Sequence, residues 1–136
     1  MNNPSEIKKL LRRSITIAVV GLSVKPYKAS NTVASYLQVR GYRIIPVNPN
    51  YPKILGNISY PSLMEIPNSS GIDLVNIFRR SESVLPIVNQ VIELGIKAVW
   101  LQEGVINKVA AKKAEKVGVT VVMDRCLLKE HQNYLS

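Results

Sequence analysis

Cationic side chains recur where this sequence leaves an apolar run. Lys25 and Lys28 follow Ile15–Val20, Arg79 and Arg80 follow Asp73–Phe78, and Arg125 follows Thr120–Met123. If those runs are strands of one parallel sheet, their carboxyl ends share an edge and the loops after them face a common crevice. Lys and Arg gathered there suit phosphate, which accepts charge-assisted hydrogen bonds from both. Taken singly, each cation has a competing account as a solubilising surface group, and only their convergence favours an anion site.

The first of these loops carries the most specific pattern. Gly21-Leu22-Ser23-Val24-Lys25-Pro26 follows a β-branched, uncharged run, and Ser30-Asn31 offers N-caps for the helix expected from Thr32. A strand, a tight turn and a helix start bring free backbone N–H groups and a positive dipole end together. The turn keeps only the first glycine of G-x-G-x-x-G; the Ser23 hydroxyl and the Lys25 charge are candidates to replace the missing close backbone contact. G-x-x-x-x-G-K-[ST] is absent, which disfavours nucleoside triphosphate hydrolysis. The second strand ends in Val47-Asn48-Pro49 rather than in the acidic residue that holds an NAD ribose. An ordinary turn is the alternative for Gly21 and Ser23.

The elements that position these loops follow from periodicity. An amphipathic helix is predicted over Ser5–Arg13, with Ile7, Leu10 and Leu11 apolar, and further helices over Thr32–Arg40, Ser62–Ile66, Ser81–Gly95 and Asn107–Val117. Strands are predicted at Ile15–Val20, Tyr42–Val47, Asp73–Phe78, Ala98–Leu101 and Thr120–Met123, with irregular chain from Lys53 to Tyr60 and an unpatterned tail after Asp124. Five strands alternating with helices imply an α/β, doubly wound, mostly parallel sheet with helices on both faces. No linker or repeat divides the 136 residues, so 1–136 reads as a single domain, with an N-terminal helical segment at 1–13 and a tail at 128–136.

Composition narrows the partners. With 18 Lys+Arg against 9 Asp+Glu the net charge is +9, which favours a polyanionic ligand. One Phe and one Trp, without a helix-turn-helix or aromatic-basic motif, argue against a nucleic-acid platform. A single Cys excludes an intrachain disulfide, and with no signal-like or membrane-spanning apolar run the expectation is a cytoplasmic protein off the membrane.

Five ordered motifs carry a family resemblance from about Ser14 to Leu127. They are Val20-Gly21-Leu22-Ser23 with Lys25-Pro26 and Ser30-Asn31; Ile45-Pro46-Val47-Asn48-Pro49; Val75-x-x-Phe78-Arg79; Trp100-Leu101-Gln102-Glu103-Gly104-Val105; and Met123-Asp124-Arg125-Cys126. The set resembles the stand-alone CoA-binding domain proteins, similar to the N-terminal domain of the succinyl-CoA synthetase α subunit and of NDP-forming acyl-CoA synthetases. Sequence pattern alone does not separate the strand order 3-2-1-4-5 from the flavodoxin order 2-1-3-4-5; the resemblance implies the former, in a Rossmann-like fold with coenzyme A or an acyl-CoA across the carboxyl edge. It implies that Gly21, Leu22, Ser23, Lys25 and Pro26, with Ser30 and Asn31, form the phosphate-binding turn. Val47, Asn48 and Pro49 would flank the adenosine, Phe78 and Arg79 the pyrophosphate, and Gln102, Glu103 and Gly104 the pantetheine arm, with Arg125 a further cation at the edge.

The synthetases also require a phosphorylated His in another domain and a nucleotide-grasping partner, neither of which this chain carries. The reading is therefore a carrier, sensor or partner subunit acting with another protein rather than an enzyme alone. The enzyme alternative is a small NADP-dependent oxidoreductase, its 2′-phosphate held by Arg79 or Lys53, or another nucleotide-binding protein. Three further groups have reactive and structural readings: Cys126 as a thiol for mixed disulfides or a core residue, Glu103 with Asp124 as an acid–base pair or as caps, and His131, which has no partner spaced for a metal. The apolar face of the N-terminal helix offers a surface for packing on the sheet or for a homodimer.

Overall fold

The structure is a computed structural model that describes residues 3–135; Met1, Asn2 and Ser136, which fall in the terminal segments named above, lie outside the described residues. The chain runs α1 (Pro4–Arg13), β1 (Thr16–Val20), α2 (Ala29–Val39), β2 (Arg43–Val47), β3 (Lys53–Ile54), β4 (Asn57–Ile58), β5 (Leu74–Ile77), α3 (Val84–Glu93), β6 (Ala98–Leu101), α4 (Lys108–Lys116), β7 (Thr120–Met123) and α5 (Leu127–Leu135). Five strands form one parallel sheet in the order β2-β1-β5-β6-β7, and β3 and β4 form a small antiparallel ladder.

Side chains alternate across the sheet, as the two-residue period of a strand requires. Ala18, Val20, Val75, Ile77, Val99, Leu101 and Val121 face a core closed by α3 and α4. Ile17, Val19, Leu74, Trp100 and Val122 face a second core closed by α1, α2 and α5. Burial on both faces explains why these strands read as continuous apolar runs rather than alternating ones.

The strand order corrects one expectation while keeping its outline. The strand at Leu74–Ile77, third of the predicted runs, lies beside β1 rather than beyond β2. The place beyond β2 is taken by Tyr60, in a parallel bridge to Val47, with Tyr60 N donating to Pro46 O at 3.1 Å and Asn48 N donating to Tyr60 O at 2.9 Å. Counted with that segment, the order reads 3-2-1-4-5-6, so the Rossmann-like arrangement holds with the strands renumbered. Asp73 fixes the placement of β5, because its Oδ2 accepts from Ile15 N and Thr16 N at 2.8 and 2.9 Å, at the start of β1.

Four local expectations also change. The segment Lys53–Tyr60, expected to be irregular, contains the β3–β4 ladder, and the helix expected over Ser62–Ile66 is a 3₁₀ turn at Leu63–Glu65. The tail after Asp124 folds as α5, its period hidden because polar Glu130 and His131 share the buried face with Leu127. The apolar stripe of α1 packs within the chain, with Ile7, Leu10 and Leu11 each 1% exposed, so it offers no face to a second copy.

Candidate functional site

The carboxyl ends of β1 and β5 lie side by side, and their following loops turn to opposite sides of the sheet, α2 covering one face and α3 the other. A crevice opens at such a switch point. Here it has a volume of about 800 Å³ and draws lining residues from four strand ends: Gly21 after β1, Asn48 and Pro49 after β2, Phe78 and Arg79 after β5, and Gln102 and Glu103 after β6. That is within the range of small-molecule sites, roughly 300–1,000 Å³.

Gly21 is required by the backbone at two levels. Its φ is +85°, in the left-handed region, and a Cβ there would lie 2.4 Å from the carbonyl oxygen of Phe78. No side chain fits without moving the chain after β5. The turn then tightens through its own polar groups: Ser23 N donates to Ser30 Oγ at 2.9 Å, Asn31 Nδ2 donates to Ser23 O at 2.8 Å, and Lys25 N donates to Ser23 Oγ at 3.1 Å.

These bonds reassign several residues. Helix α2 begins at Ala29 with Lys28 as N-cap, three residues earlier than expected, so Ser30 and Asn31 lie inside its first turn and brace the loop instead of capping the helix. Both are buried and do not line the crevice, whereas Ala29 does. The first-turn amides of an α-helix have no intrahelical partner, so this helix start brings donors to the crevice at Ala29. Leu22 is fully buried in the core, and Lys25 and Pro26 are exposed outside the crevice wall.

Asn48 ties two loops together. Its Nδ2 donates to Leu22 O at 3.0 Å, and its Oδ1 accepts from Asn50 N at 2.9 Å. Val47 is buried and lines an adjoining recess of about 460 Å³, walled by Pro49, Leu63, Pro86 and Ile87 and sharing Arg79 with the crevice. On the far wall Gln102 is 5% exposed, its Oε1 accepting from Asn76 Nδ2 and Leu127 N at 3.4 Å each. Gly104 lies beyond the lining, where its N–H donates to Asp124 Oδ1 at 2.7 Å.

The charge balance of the crevice is positive. Arg79 and Arg80 line it and are exposed, and among the described residues neither makes an ion pair. Glu103, the one carboxylate in the lining, pairs with Lys129 at 3.2 Å. Arg125 is occupied elsewhere: it pairs with the buried carboxylate of Glu130 at 2.9 Å, and its carbonyl accepts from Trp100 Nε1 at 2.8 Å, so it anchors α5 rather than the crevice.

The other reactive candidates have structural partners. Asp124 Oδ1 accepts from Gly104 N and Glu103 pairs with Lys129, contacts that fit the structural reading of both carboxylates. Cys126 is half-buried against the α5 side of the core, away from the crevice lining. His131 Nδ1 lies 2.8 Å from the Tyr36 hydroxyl. Among the described residues no three His, Cys, Asp or Glu side chains cluster as a metal would require, and no helix is long and apolar enough to cross a membrane.

Ala29, Asn50, Arg80, Ser83 and Val105 line the crevice without having been singled out as site residues. Arg80 was legible as the neighbour of Arg79. The others depend on where α2 and α3 begin and on how the β2 and β6 loops curl, which no local pattern reports.

Comparison with known proteins places this geometry. The chain is 43% identical over 133 residues to uncharacterized protein YneT of Bacillus subtilis, an alignment covering 96% of this chain and 97% of that protein. It is 30% identical over 121 residues to acetate–CoA ligase [ADP-forming] I of Archaeoglobus fulgidus, covering 82% of this chain but only 17% of the ligase. Among solved structures, a hypothetical protein from Pyrococcus horikoshii superimposes with a TM-score of 0.94 at 38% identity, over 99% of this chain and 94% of that one. Residues 15–132 match the model of the CoA binding domain, and with this sheet and this crevice the chain belongs to the CoA-binding domain family.

Proposed function

We propose that this chain binds coenzyme A or an acyl-CoA in the crevice at the carboxyl edge of the sheet, as a non-catalytic carrier, sensor or partner subunit. The observation that carries the reading is the convergence of Gly21, Asn48, Arg79 and Gln102, from four different strand ends, on one crevice. Family membership supports the same ligand.

The residues fit the chemistry of that ligand. The pyrophosphate lies against the Gly21 turn and the start of α2, where a bare Cα and first-turn amides permit close approach. Arg79 and Arg80, unpaired within the described residues, supply counter-charge for the pyrophosphate and the 3′-phosphate. The adenosine occupies the recess beside Val47 and Pro49, and the pantetheine arm runs along Gln102 and Glu103. Because Asn76 Nδ2 and Leu127 N both donate to Gln102 Oε1, the amide orientation is fixed, and Gln102 Nε2 is the group left to donate to a carbonyl of the arm.

Calorimetry with CoA, dephospho-CoA and NADPH tests the reading. The expected result is saturable CoA binding with a raised melting temperature, weaker binding of dephospho-CoA, and no shift with NADPH. No shift at millimolar CoA overturns it.

A further inference from the structure

The opposite edge of the sheet carries a second cleft. It opens where α1, α2 and α5 end, at the amino ends of β1 and β2, and five residues of strand separate it from the crevice by roughly 17 Å. Its volume is about 640 Å³, and its walls include Arg12, Ile15, Arg40, Tyr42, His131 and Tyr134. We propose that this cleft binds an organic anion, with a carboxylate or phosphate held between Arg12 and Arg40 and an apolar body lying on Ile15, Tyr42 and Tyr134.

Among the described residues the charged side chains lining the cleft are of one sign: Arg12 and Arg40 line it, no Asp or Glu side chain does, and neither arginine makes an ion pair. Three helices end here, α1, α2 and α5, and their terminal carbonyls would compete with an anion for these guanidinium groups where they are open. Four of those in α1 and α2 are already taken. Leu10 O accepts from Ser14 N and Oγ, Leu11 O from the Tyr42 hydroxyl at 2.7 Å, Leu37 O from Arg40 N and Tyr42 N, and Gln38 O from Gly41 N.

The site is also held in shape. The Arg40 guanidinium lies 3.7 Å from the centroid of the Tyr36 ring, the Tyr36 hydroxyl bonds His131 Nδ1, and the His131 ring sits edge-on to both Tyr36 and Tyr42. Such a stack limits the freedom that Arg40 would lose on binding. Ile15 is 67% exposed at the rim, an apolar surface that none of the described residues covers. Burial, and after it the charge of Arg40, lowers the His131 pKa, so this arginine acts electrostatically on the imidazole.

His131 is the sole histidine of the sequence, which makes its ring a single-signal reporter of the cleft. The test is an NMR titration of the imidazole-labelled protein at constant ionic strength, with benzoate and phenyl phosphate as probes and benzyl alcohol as the neutral control. A saturable shift of the His131 signals with either anion, a raised His131 pKa in its presence, and at least fivefold weaker binding in both Arg12→Gln and Arg40→Gln support the proposal. A response that never saturates, one unchanged in both variants, or equal binding of benzyl alcohol overturns it. CoA added to the benzoate complex leaves the His131 signals in place if the two sites are separate, and displacement of benzoate by CoA refutes that separation. The proposal is independent of CoA binding, so either can fail without the other.

Discussion

Gly21 and Gly41 sit at opposite edges of the same sheet and share a left-handed backbone, with φ of +85° and +94°. At the carboxyl edge a Cβ on Gly21 would meet the Phe78 carbonyl at 2.4 Å; at the amino edge a Cβ on Gly41 would meet nothing within 4 Å. The difference follows from how a parallel sheet is built. Every strand hands its chain to a crossover at the carboxyl edge, so neighbouring strand ends crowd into one another and create a site whose residues adjoin the strands in sequence. The amino edge receives chain from helix ends, and its cleft is lined by the residues just before β1 and β2 together with the end of α5.

Substituting the two glycines is the sharpest way to break that contrast. Gly21→Ala is expected to destabilise the fold by about 3 kcal/mol, since the collision adds to the conformational cost, and to abolish CoA binding. Gly41→Ala carries only the conformational part, about 1 kcal/mol, and leaves CoA affinity unchanged. Urea denaturation with and without CoA reads both. A Gly21→Ala protein as stable as the Gly41→Ala protein would erase the distinction.

Charge at the carboxyl edge separates binding from stability. Arg79→Gln is expected to weaken CoA about tenfold, the scale of one charge-assisted hydrogen bond, with an unchanged melting temperature in the absence of ligand. Calorimetry over a range of salt concentrations should also show a shallower salt dependence in the variant.

Charge at the amino edge acts through folding instead. The His131 pKa is lowered in the folded protein by burial and then by Arg40, so the unfolded chain binds the proton more readily. Stability from this group is therefore complete above the unfolded value near 6.5 and falls as pH drops below it toward the folded value. Melting curves from pH 7.5 to 5 should slope downward through this window, and the slope should flatten in His131→Phe. The smallest effect belongs to Lys129→Ala, which removes the exposed pair with Glu103 and should change stability by less than about 0.5 kcal/mol.

Legibility in the sequence followed the same division. The glycine turn after β1 could be located because Gly21, Ser23 and the β1 run are contiguous, and so could the alignment of Asn48, Arg79 and Gln102 with strand ends. What each side chain does there was less legible. Ser30 and Asn31 brace the turn, Asn48 bonds the Leu22 carbonyl, and Arg125 pairs with Glu130, because each found a partner that the local pattern does not show. The α5 helix was missed for a related reason: Glu130 and His131 are buried by pairing with Arg125 and Tyr36, so a buried face reads as polar.

By itself the sequence determined the parallel strands, the glycine turn and the basic character of the carboxyl edge, since β-branched runs, left-handed glycines and charges act over a few residues. Only the tertiary structure decided that Leu74–Ile77 lies beside β1, with Tyr60 at the outer edge and Arg12 and Arg40 lining one cleft. Those outcomes depend on which strand's N–H and C=O groups a distant segment reaches first, as the Asp73 carboxylate does at Ile15 and Thr16, and that pairing is settled by packing rather than by any local propensity.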